Sequence, residues 1–150
     1  MSTIVLLDAG PLGLVTNPNR SEATEESTLW LDSLINNGIE IRIPEITDYE
    51  VRRELLRLNK LRGIRRLNEL KLYLDYVPLT TQTMLKAAEL WADVRKRGLP
   101  TADDKALDGD VILAAQAAML ENGGYEVIIA TTNVRHLTRF TTAQEWREIS

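Results

Sequence analysis

Apolar positions along this chain recur with two periods, near 2 and near 3.6, and the two alternate. Thr3-Ile4-Val5-Leu6-Leu7 is a short apolar run that ends on Asp8 and is followed at once by Ala9-Gly10-Pro11. Such a run between polar breakers predicts a strand buried on both faces. Glu22 to Asn37 predicts a helix with Leu29, Trp30, Leu34 and Ile35 inward, stopped by Asn36-Asn37-Gly38. Ile39-Glu40-Ile41-Arg42-Ile43 alternates as a strand does and Pro44 ends it. A helix from about Thr47 to Asn59 follows, with Val51, Leu55 and Leu58 as its core stripe, and Arg62-Gly63 predicts its break. Ile64, Leu67, Leu70 and Leu74 mark another helix, and Tyr76-Val77-Pro78-Leu79 a third strand. Thr81 reads as the cap of a helix that turns Met84, Leu85, Ala88 and Trp91 inward and closes at Arg97-Gly98. Leu99 to Lys105 reads as a polar loop, and Asp108 to Glu121 as an alanine-rich helix. Val127-Ile128-Ile129-Ala130 predicts a fourth strand, Val134 to Arg139 a short helix and Arg147 to Ile149 a last strand. This alternation predicts an α/β fold of three layers, α/β/α, around a central, mostly parallel sheet of about five strands. No linker, repeat or low-complexity segment interrupts it, so residues 1–150 are expected to form a single domain.

Composition narrows the classes. With 150 residues and 44% hydrophobic content the chain can bury a core of its own. It holds no cysteine, which excludes disulfides and thiolate metal sites. No apolar stretch approaches the roughly 18–20 residues that a membrane span needs, and the first residues lack the basic and apolar regions of a signal peptide. A soluble, cytoplasmic protein without membrane partners is the expectation.

The net charge of −4 looks unsuited to a nucleic-acid partner until its distribution is considered. Val51 to Lys71 holds eight basic residues and two acidic ones, a net +6. The remainder holds ten basic and twenty acidic residues, a net −10. That polarity points to a phosphate-facing arm on an acidic body, and Arg62, Arg65 and Arg66 are its candidate RNA contacts. A charge run of this kind also serves simply as a solvated helical face.

Four residues fall where open parallel sheets place their ligands, at the carboxyl edge of the strands. Asp8 ends the first strand, and Glu50 lies early in the helix after the second. Asp110 opens the alanine-rich helix in Asp108-Gly109-Asp110-Val111-Ile112-Leu113-Ala114-Ala115, and Asn133 follows the fourth strand. Each has an ordinary structural use: acids favour helix N-termini, Asp108 suits an N-cap and Asn133 a turn. Together on one edge they make a cluster of repelling carboxylates. Hard divalent cations with oxygen ligands, Mg²⁺ or Mn²⁺, relieve such repulsion.

At these residues the chain resembles the PIN-domain ribonucleases, and among them the VapC-type toxins of bacterial toxin–antitoxin pairs. The resemblance rests on Ile4-Val5-Leu6-Leu7-Asp8, Glu50-Val51, Asp110-Val111-Ile112-Leu113-Ala114-Ala115-Gln116-Ala117 and Ala130-Thr131-Thr132-Asn133-Val134-Arg135-His136-Leu137, in that order over nearly the whole length. It implies a single PIN-like domain that hydrolyses RNA phosphodiester bonds with Mg²⁺ or Mn²⁺. It implies Asp8 and Asp110 as metal ligands, Glu50 as the third catalytic acid, a homodimer and a small antitoxin partner. The family's fourth acidic position falls on Asn133, which completes the catalytic set without supplying charge. Asp103, Asp104 and Asp108 precede Asp110, and Asp108 is a possible additional acid.

The lone histidine, His136, reads as a packing or surface group rather than a general base, and Trp30, Trp91 and Trp146 as core residues. Two other readings stay open: a catalytically silent PIN fold used for interaction, and a phosphoacceptor receiver domain. A receiver wants a second acid near the first strand, where this chain has Ala9-Gly10. The same Gly10 breaks the Asp-x-Asp of a haloacid-dehalogenase-type phosphatase.

Overall fold

The computed structural model describes residues 2–98 and 104–150. Five parallel strands form one sheet in the order β3-β2-β1-β4-β5: β1 (Thr3–Leu7), β2 (Glu40–Pro44), β3 (Asp75–Val77), β4 (Glu126–Thr131) and β5 (Ala143–Glu145). Seven helices accompany them among the described residues: α1 (Ala9–Thr16), α2 (Glu22–Asn36), α3 (Glu45–Arg57), α4 (Leu61–Tyr73), α5 (Thr81–Arg97), α6 (Asp104–Asn122) and α7 (Val134–Leu137). The three-layer expectation holds. A receiver domain has the strand order 2-1-3-4-5, so the observed order removes that reading.

Period-2 alternation along β1 divides the core. Val5 and Leu7 pack with Leu12, Leu34, Val51 and Leu67, from α1, α2, α3 and α4. Ile4 and Leu6 pack on the opposite face with Leu113 and Ala117 of α6 and Leu137 of α7. β1 is paired on both edges, by β2 and β4, so its carboxyl end lies mid-sheet, with loops and helix starts around it. Leu107, Val111 and Ala115 of α6 pack against Ala87 and Val94 of α5.

Several local expectations are corrected. Ala9-Gly10-Pro11 does not break the chain but opens α1, with Asp8 as N-cap. Pro11 occupies the first turn, where its missing N–H costs no helical bond. In α2 the inward positions are Thr24, Ser27, Leu31 and Leu34, while Leu29 and Ile35 are exposed. Ser27 Oγ donates to the carbonyl of Thr24 at 2.8 Å, which lets a hydroxyl occupy a core position. α3 starts at Glu45, and Leu58, its exposed C-cap, leaves the stripe. The break falls at Asn59, whose φ is +53°, and not at Gly63. Gly63 lies inside α4, where a Cβ would come within 2.9 Å of Leu55 Cδ2, so it sets the close approach of α3 and α4.

Thr80, not Thr81, caps α5, and its inward residues are Thr83, Ala87 and Val94. Met84, Leu85 and Trp91 are exposed instead. Asp104 and Lys105 belong to α6, and the rest of the expected loop, 99–103, lies outside the described residues, Asp103 included. The last strand is Ala143–Glu145, and Trp146–Glu148 forms a 3₁₀ turn that drives Trp146 into the core. Trp146 meets Trp30 edge-on at 5.3 Å, so two of the three tryptophans are core residues as expected. No helix among the described residues is long and apolar enough to cross a membrane.

Candidate active site

β1 delivers Asp8 to the carboxyl edge of the sheet, and both its carboxylate oxygens are held. Oδ1 accepts from the Ala9 N–H at 2.8 Å, and Oδ2 accepts from the hydroxyl of Thr131 at 2.6 Å. Thr131 is the fully buried last residue of β4, the neighbouring strand, and its hydroxyl oxygen also accepts from the Asn133 N–H at 2.8 Å. One side chain therefore ties the ends of β1 and β4 together and fixes the Asp8 rotamer. A threonine at a strand end is ordinary β composition, so only its pairing with Asp8 marks it.

α3 leaves β2 directly at Pro44 and carries Glu50 in its second turn. Its start is anchored to α6 by Gln116, which is completely buried. Gln116 Nε2 donates to the Val77 carbonyl at 2.7 Å and Oε1 accepts from the Ile46 N–H at 3.3 Å. Its signal in the sequence is a polar residue inside an alanine run. Glu50 in turn packs on α6 at Gly109, where a Cβ would meet Oε2 at 2.9 Å.

Asp110, next on α6, completes the acidic group. Burial first, and then the charge of Asp8, push its carboxyl up to about 6 against the opposing pull of Arg139. Burial, with the charges of Asp8 and Asp110, likewise pushes Glu50 up to about 7, although Arg53 Nη2 lies 4.0 Å from Oε2. The structure thus brings Asp8, Glu50 and Asp110 into one mutually repelling set.

Asn133 and Asp108 are placed differently. Asn133 is exposed and reaches the cluster through His136: its amide Nδ2 lies 3.2 Å from His136 Nδ1, which is 3.8 Å from Asp110 Oδ2. His136 is therefore at the edge of the site. Asp108 is two residues from Asp110, which on a helix is about 200° around the axis. It is exposed and lines the groove between α5 and α6 with Met84, Ala88 and Trp91. α6 begins at Asp104, so Asp108 is not its N-cap and Asp110, expected in its first turn, lies in its second.

The donors of the cluster are hard carboxylate oxygens, of the type that magnesium and manganese prefer. Among the described residues no three acidic or histidine side chains stand ready to hold a metal ion as they lie. The chemistry of the donor set nevertheless fits a divalent cation. Glu50 and Asp110, both raised by burial and by the Asp8 charge, are carboxyls whose ionised forms a nearby cation would favour.

A family model described as PIN domain matches residues 5–135. The chain belongs to the PIN domain family. Three solved structures share the fold of this PIN domain. VapBC2 from Rickettsia felis, bound to a DNA fragment from their promoter, aligns with a TM-score of 0.70 at 17% identity, over 94% of this chain and 97% of that one. VapBC-1 from nontypeable Haemophilus influenzae aligns with a TM-score of 0.68 at 18% identity, over 97% and 99%. DNA-bound VapBC from Salmonella typhimurium aligns with a TM-score of 0.61 at 18% identity, over 97% and 99%. No curated protein matches the chain.

The basic arm divides in the structure. Arg52 and Lys71 turn inward onto Asp48, at 2.9 and 3.1 Å, and Arg57 pairs with Glu54 at 2.7 Å. Lys60, Arg62, Arg65 and Arg66 are exposed and have no acidic partner among the described residues. Arg66 Nη1 donates to the Asn17 carbonyl at 3.2 Å, which leaves its charge uncompensated.

Proposed function

We propose that this PIN domain is a metal-dependent endoribonuclease that hydrolyses RNA phosphodiester bonds, and the VapC-type toxin of a toxin–antitoxin pair. The observation that carries the reading is the convergence of Asp8, Glu50 and Asp110 from three elements onto one sheet edge. Asp8 and Asp110 would hold Mg²⁺ or Mn²⁺, with Glu50 as the third acid. Bound there, the cation would polarise a phosphoryl oxygen and lower the pKa of a water.

The chain's own residues prepare the rest. Thr131 orients Asp8, and Gln116 holds the start of α3 against α6, so that Glu50 faces Asp110. Asn133 and His136 line the rim without adding fixed negative charge. Lys60, Arg62, Arg65 and Arg66 supply positive potential that draws a phosphate backbone towards an otherwise acidic protein.

The likeness to chains of VapBC complexes supports a small antitoxin as partner. The sequence resemblance adds the homodimer and a cytoplasmic setting. The test is cleavage of single-stranded RNA by purified protein with Mg²⁺ or Mn²⁺, alongside Asp8→Asn, which keeps the shape of the side chain and deletes its charge. Wild-type cleavage that is lost in Asp8→Asn with an unchanged melt is the expected result. Equal rates in the two proteins sink the metal-centred reading. Inactivity of both, with RNA still bound, favours the silent interaction module.

A further inference from the structure

Tyr49 immediately precedes Glu50 on α3, yet it takes no part in the packing of that helix. Ile46, Thr47, Asp48 and Val51 carry the buried face, while Tyr49 is 56% exposed. Its hydroxyl has no hydrogen-bond partner among the described residues. Its one partner is Arg53, one turn further on, whose guanidinium carbon lies 5.0 Å from the centre of the ring. The same guanidinium reaches to 4.0 Å from Glu50 Oε2. A single cation thus touches an exposed aromatic ring and an acid of the cluster. The other exposed aromatics among the described residues are Tyr73 at the end of α4 and Trp91 on α5, whose ring lies under Arg95.

We propose that Tyr49 and Arg53 form a stacking platform for one unpaired nucleobase of the strand that Glu50 meets. This rests on the ribonuclease reading and adds to it the side chains that would hold the base beside the cleaved bond. Aromatic rings and guanidinium planes both stack on nucleobases, and they do so with little regard to base identity. Arg53 also offers donors to the phosphate beside that base. A base in a duplex has its faces covered by its neighbours and its edge by its partner. The platform therefore admits loops and single strands and rejects helices. It selects for unpairing next to the cleaved bond and leaves sequence preference to other contacts.

The test uses the full chain carrying Asp8→Asn, so that RNA is not consumed, with Mg²⁺ present. A single-stranded oligonucleotide with 2-aminopurine at successive positions, and the same strand in a duplex, are titrated with this parent, with added Tyr49→Ala and with added Tyr49→Phe. The parent is expected to bind the single strand and to quench 2-aminopurine at one position. Tyr49→Ala, an exposed change that leaves the melt intact, is expected to lose that quenching and to weaken single-strand binding roughly fivefold to a hundredfold. Tyr49→Phe keeps the ring and is expected to bind as the parent does, and duplex binding is expected to be weak in all three. Parent-like binding and quenching by Tyr49→Ala overturns the platform while the ribonuclease reading stands. Equal losses in Tyr49→Phe and Tyr49→Ala overturn it too, because the hydroxyl would then be the contact. No single-strand binding or quenching by the parent overturns the platform, while the ribonuclease reading is decided separately by cleavage with the wild-type protein.

Discussion

The carboxylate of Glu50 rests on Gly109, so closely that a Cβ there would stand 2.9 Å from Oε2 and 3.3 Å from Cδ. Gly109 lies inside α6, where glycine costs a helix about 0.5–1 kcal/mol relative to alanine. The Glu50 carboxylate is the far end of a flexible side chain, so it yields more readily than backbone. Gly109→Ala is therefore expected to raise the melting temperature by about 1–3 °C and to cut RNA cleavage at least tenfold. A stabilised variant of full activity would show that the seat of Glu50 is unimportant.

The raised carboxyls set a pH dependence of stability. An ordinary glutamate titrates near 4.5, and Glu50 in the folded chain near 7. Between these values the folded chain keeps a proton that the unfolded chain has released. Stability is therefore lost as pH rises through that window. Asp110, raised from 3.8 to about 6, acts in the same direction at lower pH. Without divalent cations, Glu50→Gln is expected to melt roughly 2–6 °C above wild type at pH 8, with the difference closing towards pH 4.5. Added Mg²⁺ at pH 8 should raise the wild-type melt and raise that of Asp8→Asn much less. A wild-type melt that ignores both pH and Mg²⁺ would remove the electrostatic basis of the cluster.

Strand ends and motif order made Asp8, Glu50 and Asp110 legible in the sequence, because a buried parallel strand must end in a polar turn on one known edge. What supports them was not legible. Thr131 and Gln116 act through hydrogen bonds across 123 and 70 residues of chain, and periodicity carries no information on such pairs. The misread faces of α2 and α5 share another cause. Periodicity favours large apolar residues inward, whereas Thr24, Ser27, Thr83 and Ala87 are the buried positions and Leu29, Met84 and Leu85 face outward. Gly10 and Pro11 predict a break by composition, yet both lie in the first turn of α1. A Cβ on Gly10 would lie 2.6 Å from Thr132 Oγ1, so that glycine serves the approach of α1 to the loop after β4.

Asp48, next to Tyr49, is an acid of a different kind. It is only 4% exposed, and it accepts from Arg52 Nε at 2.9 Å and from the Tyr76 hydroxyl at 2.9 Å, with Lys71 Nζ at 3.1 Å. Burial raises its carboxyl, but the bonds from Arg52, Tyr76 and Lys71 outweigh that, and the net shift is downward. Asp48→Ala leaves those partners partly solvated, which places the expected loss at about 1.5–3 kcal/mol, or about 4–10 °C in the melt. Stability from a lowered carboxyl is present above its ordinary value of 3.8 and is lost as pH falls through the lowered one. The gap between variant and wild type should therefore narrow as pH falls below 3.8. A variant as stable as wild type at neutral pH would mean that the bonds only offset the burial.

Because Asp48 engages Arg52 and Lys71 and Glu54 engages Arg57, the exposed cations of the arm with no acidic partner among the described residues are Lys60, Arg62, Arg65 and Arg66. Binding through such groups releases counterions, and for single strands each phosphate contact contributes a slope of about −0.7 to log K against log salt. Arg62→Glu, Arg65→Glu and Arg66→Glu together are expected to weaken single-stranded RNA binding more than tenfold at low salt. They should also flatten the salt dependence by about 2 in slope. All three side chains are exposed, and among the described residues the one bond lost is that of Arg66 to the Asn17 carbonyl. The melt should therefore fall by no more than a degree or two. The reversal leaves Asp8, Glu50 and Asp110 untouched, so cleavage should recover in part at saturating RNA. Binding and salt slope equal to wild type would make the run a solvated face and place the RNA path elsewhere on the molecule.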